Sequence, residues 1–126
     1  VHIFSHQRYA YRYELNNPND WIAKHFFTGG LMPSHALIRE FHRDLAVTED
    51  WWLNGQHYEK TCNAWLQNLD AQRKQVQQLF EPHYGKVQSK IMIERWRVFF
   101  MACAELFGYD QGEAWGISHY LMKRVR

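Results

Sequence analysis

The sequence is poor in the features that announce most functions. Its 126 residues include two cysteines, Cys62 and Cys103, which lie far apart and form no C-x-x-C pair. Two thiols in a chain of this size fit a reducing cytoplasm. No apolar run approaches the roughly 18–20 residues that span a bilayer. The opening "VHIFSHQRYA" has no basic start followed by a long apolar stretch, so no secretory leader is expected. It also has no initiator Met, which suggests that Val1 is not the natural start. The net charge is only +2 and, apart from the tail Lys123-Arg124-Val125-Arg126, the basic residues are dispersed. Without a basic stripe, nucleic acid is not an expected partner.

Cofactor and metal signatures are equally scarce. No G-x-G, Walker-type loop or G-x-S-x-G occurs. The adjacent Gly29 and Gly30 in "FFTGGLMPS" follow a helix-like stretch instead of opening a helix after a strand, so they read as a turn and not as a phosphate cradle. Eight histidines are present. His2 and His6 sit four apart on a strand-like segment, and His35 and His42 have no acidic partner in an H-E-x-x-H arrangement. A metal centre is therefore not expected.

What the chain does have is rings. Aromatic residues make up 17% of it, with six Trp, seven Tyr and eight Phe, beside 46% hydrophobic and 22% charged residues. That composition specifies one soluble globular domain whose rings serve mostly as core, with some free to line a pocket for a flat or apolar ligand.

"VHIF" reads as a buried strand, and "DWIAKHFF" as a short helix capped by Asp20. Ser34 is placed to cap a helix over "HALIREFHRDL", with Leu37, Ile38, Phe41 and Leu45 on one buried face. "AVTEDWWLNG" reads as a strand ending in the Asn54-Gly55 turn signal. Apolar residues at 58, 62, 65, 69, 76 and 80 predict an amphipathic helix from Tyr58 to Phe80. "EPHYG" interrupts it, and a second long helix runs from Lys86 to Phe107 with Gly108 as its stop. "EAWGISHYLMKR" closes the chain as a strand that can pair with "AVTEDWWL". At "NGQHYEKT" a strand end presents His57 and Tyr58, two proton-handling side chains. They either face a ligand crevice, or Tyr58 simply opens the buried face of the helix.

Taken in order, "VHIFSHQRYAYRYE", "DWIAKHFFTGGLMPS", "NGQHYEKTCNAWL", "RWRVFFMACAELFGYDQGEAW" and "SHYLMKR" resemble the C-terminal half of coclaurine N-methyltransferase-like proteins. Those belong to the cyclopropane fatty-acid synthase group of S-adenosylmethionine-dependent methyltransferases. The resemblance covers essentially the whole chain. It implies an α/β fold, the C-terminal portion of a class I (Rossmann-like) methyltransferase. "VHIF", "AVTEDWWL" and "EAWGISHYLMKR" would be strands five, six and seven, with a helical insertion forming a substrate lid. Residues 1–126 would be the substrate-side part of the domain. The N-terminal half that binds most of the S-adenosylmethionine would be absent, and this chain alone inactive.

By the same resemblance, His2, the backbone at Phe4 and Tyr58 match a site that holds a bicarbonate base in cyclopropane synthases. Trp96 and Phe99 match aromatic residues that line an alkaloid pocket. Arg95 stands where that pattern has an aromatic, and a fixed cation beside an amine is unfavourable. The expected site is thus His2 and Tyr58 as catalytic residues, with Phe4, Trp52, His57, Trp96 and Phe99 around the substrate. Rings such as Trp52, Tyr58, Trp96 and Phe99 can hold a sulfonium or ammonium by cation–π attraction. The implied reaction is methyl transfer to a small amine. The alternatives are cyclopropane-type modification of a lipid acyl chain and a non-catalytic helical interaction module. Without the cofactor half, self-association or pairing through an exposed strand edge is also expected.

Overall fold

The computed structural model describes residues 1–14 and 21–125. Three strands form the main sheet: β1 (His2–His6), β4 (Leu45–Asn54) and β5 (Trp115–Arg124). Their order is β1-β5-β4, and every neighbouring pair is antiparallel. This is the arrangement implied for strands five, seven and six. β5 is central because its β-branched and aromatic run can be buried on both sides, and Ile117, Ser118 and Tyr120 are all buried. Its register runs from His2↔His119 to His6↔Trp115 on one side and reaches Trp52↔Ser118 on the other, with a slip between Val47 and Glu49. A small second ribbon pairs β2 (Tyr11–Arg12) with β3 (Leu31–Met32).

Strand alternation divides the residues of the main sheet between two faces. Phe4 points to the face covered by helices and meets Phe107 edge-on, centroids 6.3 Å apart. Ser5 and Ser118 point to the opposite face, where their hydroxyls are hydrogen-bonded to each other. β1 is present as expected, but it is not a buried strand: Val1 is 61% and Ile3 37% exposed. It lies at the edge of the three-stranded sheet, and on the side away from β5 its pairing among the described residues is confined to His6, which bridges to Ser34.

The long helices form an antiparallel pair. α2 (Gln56–Ala71) starts directly after β4, and α3 (Arg73–Gly108) follows it. As the residue number rises along α2 its partner's falls along α3: Tyr58 meets Phe107, Trp65 meets Phe100, and Asp70 meets Arg97. The reversal comes at Gly85, whose φ of 77° suits glycine, so "EPHYG" does interrupt the helix. The single helix expected from Tyr58 to Phe80 is divided at Gln72, at φ −106° and ψ 19°. No Gly or Pro marks that break. Gln72 ends α2 by donating its N–H to the Asn68 carbonyl and starts α3 by accepting the N–H of Val76.

A second expectation is corrected at residues 34–45. Ser34 does not cap a helix. It is 8% exposed and bridges to His6 in a parallel pairing. Only one 3₁₀ turn forms, Leu37–Glu40, with Ala36 before it. Phe41 is 69% exposed and Leu45 is taken up by β4, so the proposed buried face does not exist. Local strand pairing outcompetes helix propensity over so short a segment. The short helix α1 (Trp21–His25) is present, while its expected cap Asp20 lies outside the described residues.

Candidate active-site cavity

Between the helix-covered face of the sheet, the β2–β3 ribbon and the two long helices lies a cavity of about 250 Å³. Every surrounding element contributes to its wall: Phe4 from β1, Tyr11 and Tyr13 at β2, Ile22 from α1, Phe27 after it, and Met32 from β3. Tyr58 comes from α2, and Phe99, Cys103 and Phe107 from α3.

Local hydrogen bonds place these rings. The His6 imidazole accepts the N–H groups of Arg8 and Tyr9 through Nδ1 at 2.9 and 3.0 Å, which turns the chain out of β1 toward β2. Burial and then Arg8 lower the pKa of His6, in keeping with this acceptor role. The Trp115 indole donates to the Tyr11 hydroxyl at 3.0 Å and fastens β2 to the sheet. Gly29 adopts φ 72°, and Gly30 donates its N–H to the Phe27 carbonyl at 2.9 Å while accepting that of Tyr13 at 3.0 Å. The glycine pair is therefore a turn whose N–H is already used, and it seats Phe27 on Tyr13 with ring centroids 5.3 Å apart. Phe27 also touches Phe4 and Phe99, which makes it the hub of the wall.

At the other side, Gly55 sets the start of α2. Its N–H donates to the Gly112 carbonyl, and Asn54 Oδ1 accepts the N–H of Gln56. A Cβ on Gly55 would lie 2.1 Å from the Trp115 carbonyl and 2.3 Å from that of Phe107. The glycine of the Asn54-Gly55 signal is thus required by close approach of backbone and not by an unusual φ, which is −62°. Three residues on, Tyr58 enters the cavity wall. Burial first, then Cys62 and Cys103 beside it, push its phenol up to about 12. At neutral pH Tyr58 is a hydrogen-bond donor and not a base.

The expected site residues do not all converge. Phe4, Tyr58 and Phe99 meet at the cavity. Trp96 does not line it, but packs edge-on against Phe26 and Phe99 at 5.1 and 5.6 Å, behind the wall. His2 shares the sheet face of Phe4 yet is exposed, with Nδ1 2.6 Å from His119 Nε2. His57 is exposed on the first turn of α2. Trp52 lies on the opposite face, against His35 at 5.5 Å, with its indole N–H buried and without a partner among the described residues. Arg95 is not among the cavity residues, and its guanidinium contacts Met92 Sδ at 3.6 Å; among the described residues the cation that does line the cavity is Arg12 of β2.

Sequence reasoning missed Tyr11, Tyr13, Phe27, Met32 and Phe107. The alternating rings of "YAYRYE" were the available signal for the first two. On the opposite face, His35 Nδ1 lies 2.7 Å from Ser118 Oγ and its Nε2 3.2 Å from Asp50, while Tyr120 donates to the His35 carbonyl at 2.7 Å. Ser118 and Ser5 are fully buried, so this serine-histidine-aspartate array fastens the 34–40 segment and presents no nucleophile. Among the described residues no group of three or more His, Cys, Asp or Glu is arranged to hold a metal, and no helix is long and apolar enough to cross a membrane.

An antiparallel β1-β5-β4 sheet carrying a helical pair and a ring-lined cavity defines the strand-five-to-seven end of a Rossmann-like methyltransferase. Residues 2–116 match the family model for mycolic acid cyclopropane synthetase, and the chain belongs to that family. It is 35% identical to (S)-coclaurine N-methyltransferase of Thalictrum flavum subsp. glaucum, over 98% of this chain and 36% of that protein. Identity to pavine N-methyltransferase of the same organism is 33%, over 94% of this chain and 34% of the relative. A solved structure of coclaurine N-methyltransferase bound to N-methylheliamine and SAH superposes with a TM-score of 0.85 at 31% identity, over 98% of this chain and 37% of that one. The chain thus spans about a third of the length of the relatives it matches.

Proposed function

We propose that this chain forms the acceptor-binding, substrate-side part of an S-adenosylmethionine-dependent N-methyltransferase that acts on small amines. The observation that carries the proposal is the cavity itself, about 250 Å³ and walled mainly by rings. A wall of this kind suits a flat, ring-bearing amine. Relatives named as N-methyltransferases and the neighbour bound to N-methylheliamine and SAH support the same reading.

Methyl transfer from a sulfonium is an in-line displacement, accelerated by holding donor and acceptor in near-attack geometry. The ring walls formed by Phe4, Phe27, Tyr58 and Phe99 fix the acceptor, and their π faces attract the positive charge that develops on nitrogen. The same faces fit the positive methyl-bearing end of S-adenosylmethionine, which supplies the electrophilic methyl group. Tyr58 orients the acceptor by donating a hydrogen bond. The amine must be neutral to attack, and Tyr58 is too weak an acid at neutral pH to serve as its base. The bicarbonate base implied by the resemblance gains no support from His2, which turns Nδ1 to His119 and does not line the cavity.

In this reading residues 1–126 are the substrate-side part of a longer domain. The edge of β1 ahead of His6, with Val1 and Ile3 exposed, is where further strands or a second chain would pair. Two buried free thiols support a reducing, cytoplasmic setting for it. The test is to incubate the full-length protein with S-adenosylmethionine and a panel of cyclic secondary amines. Formation of N-methylated amine with stoichiometric SAH supports the proposal; SAH release that ignores the amine overturns it.

A further inference from the structure

Cys62 and Cys103 are both free and buried, at 1% and 6% exposure, and they form one core cluster against which Tyr58 and Phe99 pack. The two side chains belong to the same buried cluster at the α2–α3 seam. Each lies one helical turn after a cavity residue, Cys62 after Tyr58 and Cys103 after Phe99. Cys103 itself lines the cavity and Cys62 packs in the same cluster behind it, so a water-sized solute that enters there reaches Cys103 with Cys62 next to it. The proposed methyl transfer uses neither sulfur.

We propose that Cys62 and Cys103 are a peroxide-oxidisable dithiol whose disulfide staples α2 to α3 and reshapes the acceptor cavity. Hydrogen peroxide is the oxidant. Cys62 gives up its proton and its sulfur attacks one peroxide oxygen: an S–O bond forms, the O–O bond breaks, and hydroxide departs to leave as water with that proton. Cys103 then attacks the Cys62 sulfur: the S–S bond forms, the S–O bond breaks, and the thiol proton of Cys103 leaves with the hydroxyl as a second water. Two thiols are oxidised and one peroxide is reduced.

Cys103 lowers the pKa of Cys62 and makes it the sulfur that ionises, while Cys62 and burial push the Cys103 thiol up. Closing the bond draws the two sulfurs from non-bonded contact to about 2 Å. The two helix turns that carry Tyr58 and Phe99 are thereby drawn together, and the cavity between them changes shape. The effect on activity rests on the methyltransferase reading above, whereas formation of the disulfide does not.

The experiment treats the full-length protein with graded hydrogen peroxide and maps its non-reduced peptides by mass spectrometry, with methyl transfer measured in parallel. The expected result is a Cys62–Cys103 cross-linked peptide, reversed by dithiothreitol and absent from Cys62→Ser. Amine methylation should fall about ten-fold, a size typical of small misplacements in an active site, and recover with the reductant. Cys62→Ser, which lies outside the cavity wall, should keep its activity under peroxide. If Cys62→Ser does not fold, cross-linked peptide and its reversal in the wild-type protein still decide the matter. Oxidation of other side chains with no 62–103 cross-link overturns the proposal, as does a cross-link that leaves methylation unchanged. A reversible cross-link in a protein that never methylates amines would uphold the dithiol and overturn the amine reading alone.

Discussion

Tyr58 and Phe107 meet edge to face, ring centroids 4.7 Å apart and planes at 83°. This contact joins the first turn of α2 to the last turns of α3 and closes one end of the cavity. Tyr58→Phe keeps the ring and removes the hydroxyl. In the full-length protein we expect stability to change by less than about 1 kcal/mol and kcat to fall about ten-fold, the loss of one positioned hydrogen bond. An unchanged kcat would remove Tyr58 from the acceptor's contacts.

The same phenol predicts a pH effect. Its pKa of about 12 in the folded chain exceeds the ordinary tyrosine value near 10. Its contribution to stability is therefore constant below about pH 10 and is lost as pH rises toward about 12. Denaturant midpoints measured across that interval should fall less steeply for Tyr58→Phe than for the native sequence. Equal slopes would contradict the assignment.

Gly55→Ala should be among the most damaging single-atom additions. The new methyl would meet two backbone carbonyls, which cannot move as a side-chain tip can. Overpacking of this kind costs about 1–3 kcal/mol, and here it also displaces the turn that aims Tyr58. Lower thermal stability together with a raised amine KM is the expected pair of results.

Phe99 and Trp96 should separate in their kinetics. Phe99 lines the cavity and stacks on Phe26 at 4.3 Å, while Trp96 stands behind both rings. Phe99→Ala should raise the amine KM by about ten-fold or more, and Trp96→Ala by less, because it only loosens the support of Phe99. The reverse order, read from steady-state kinetics, would move the acceptor to the far side of Phe26.

On the other face of the sheet, Ser118→Ala leaves His35 Nδ1 and the Ser5 hydroxyl without their shared partner. A loss of about 1–3 kcal/mol of unfolding free energy is expected, with amine KM unchanged. A change in KM would show that the 34–40 segment communicates with the cavity.

How much of this was legible follows from individual residues. β4 and β5 could be read because their β-branched and aromatic runs are long, and Gly85 marked the helix reversal. The break at Gln72 has no local signal. Ser34 looked like a cap, yet its pairing partner His6 is 28 residues away, which no local pattern reveals. Trp52 illustrates the same limit. Trp51 and Trp52 must face opposite sides of the sheet, but only the register against His119 and Ser118 decides which side each takes. Tyr58 was found because a strand-end turn opens a helix there. Tyr11 and Tyr13 were missed because a two-residue strand gains its place from Trp115 and Gly30, both distant in sequence.

The most direct test of the central claim is a competition. Full-length protein is given S-adenosylmethionine labelled in its methyl group, together with a cyclic secondary amine and unsaturated phospholipid vesicles in the same tube. The account predicts label on the amine nitrogen and SAH in equal amount, with lipid unlabelled. Label in the acyl chains, with the amine untouched, would contradict it.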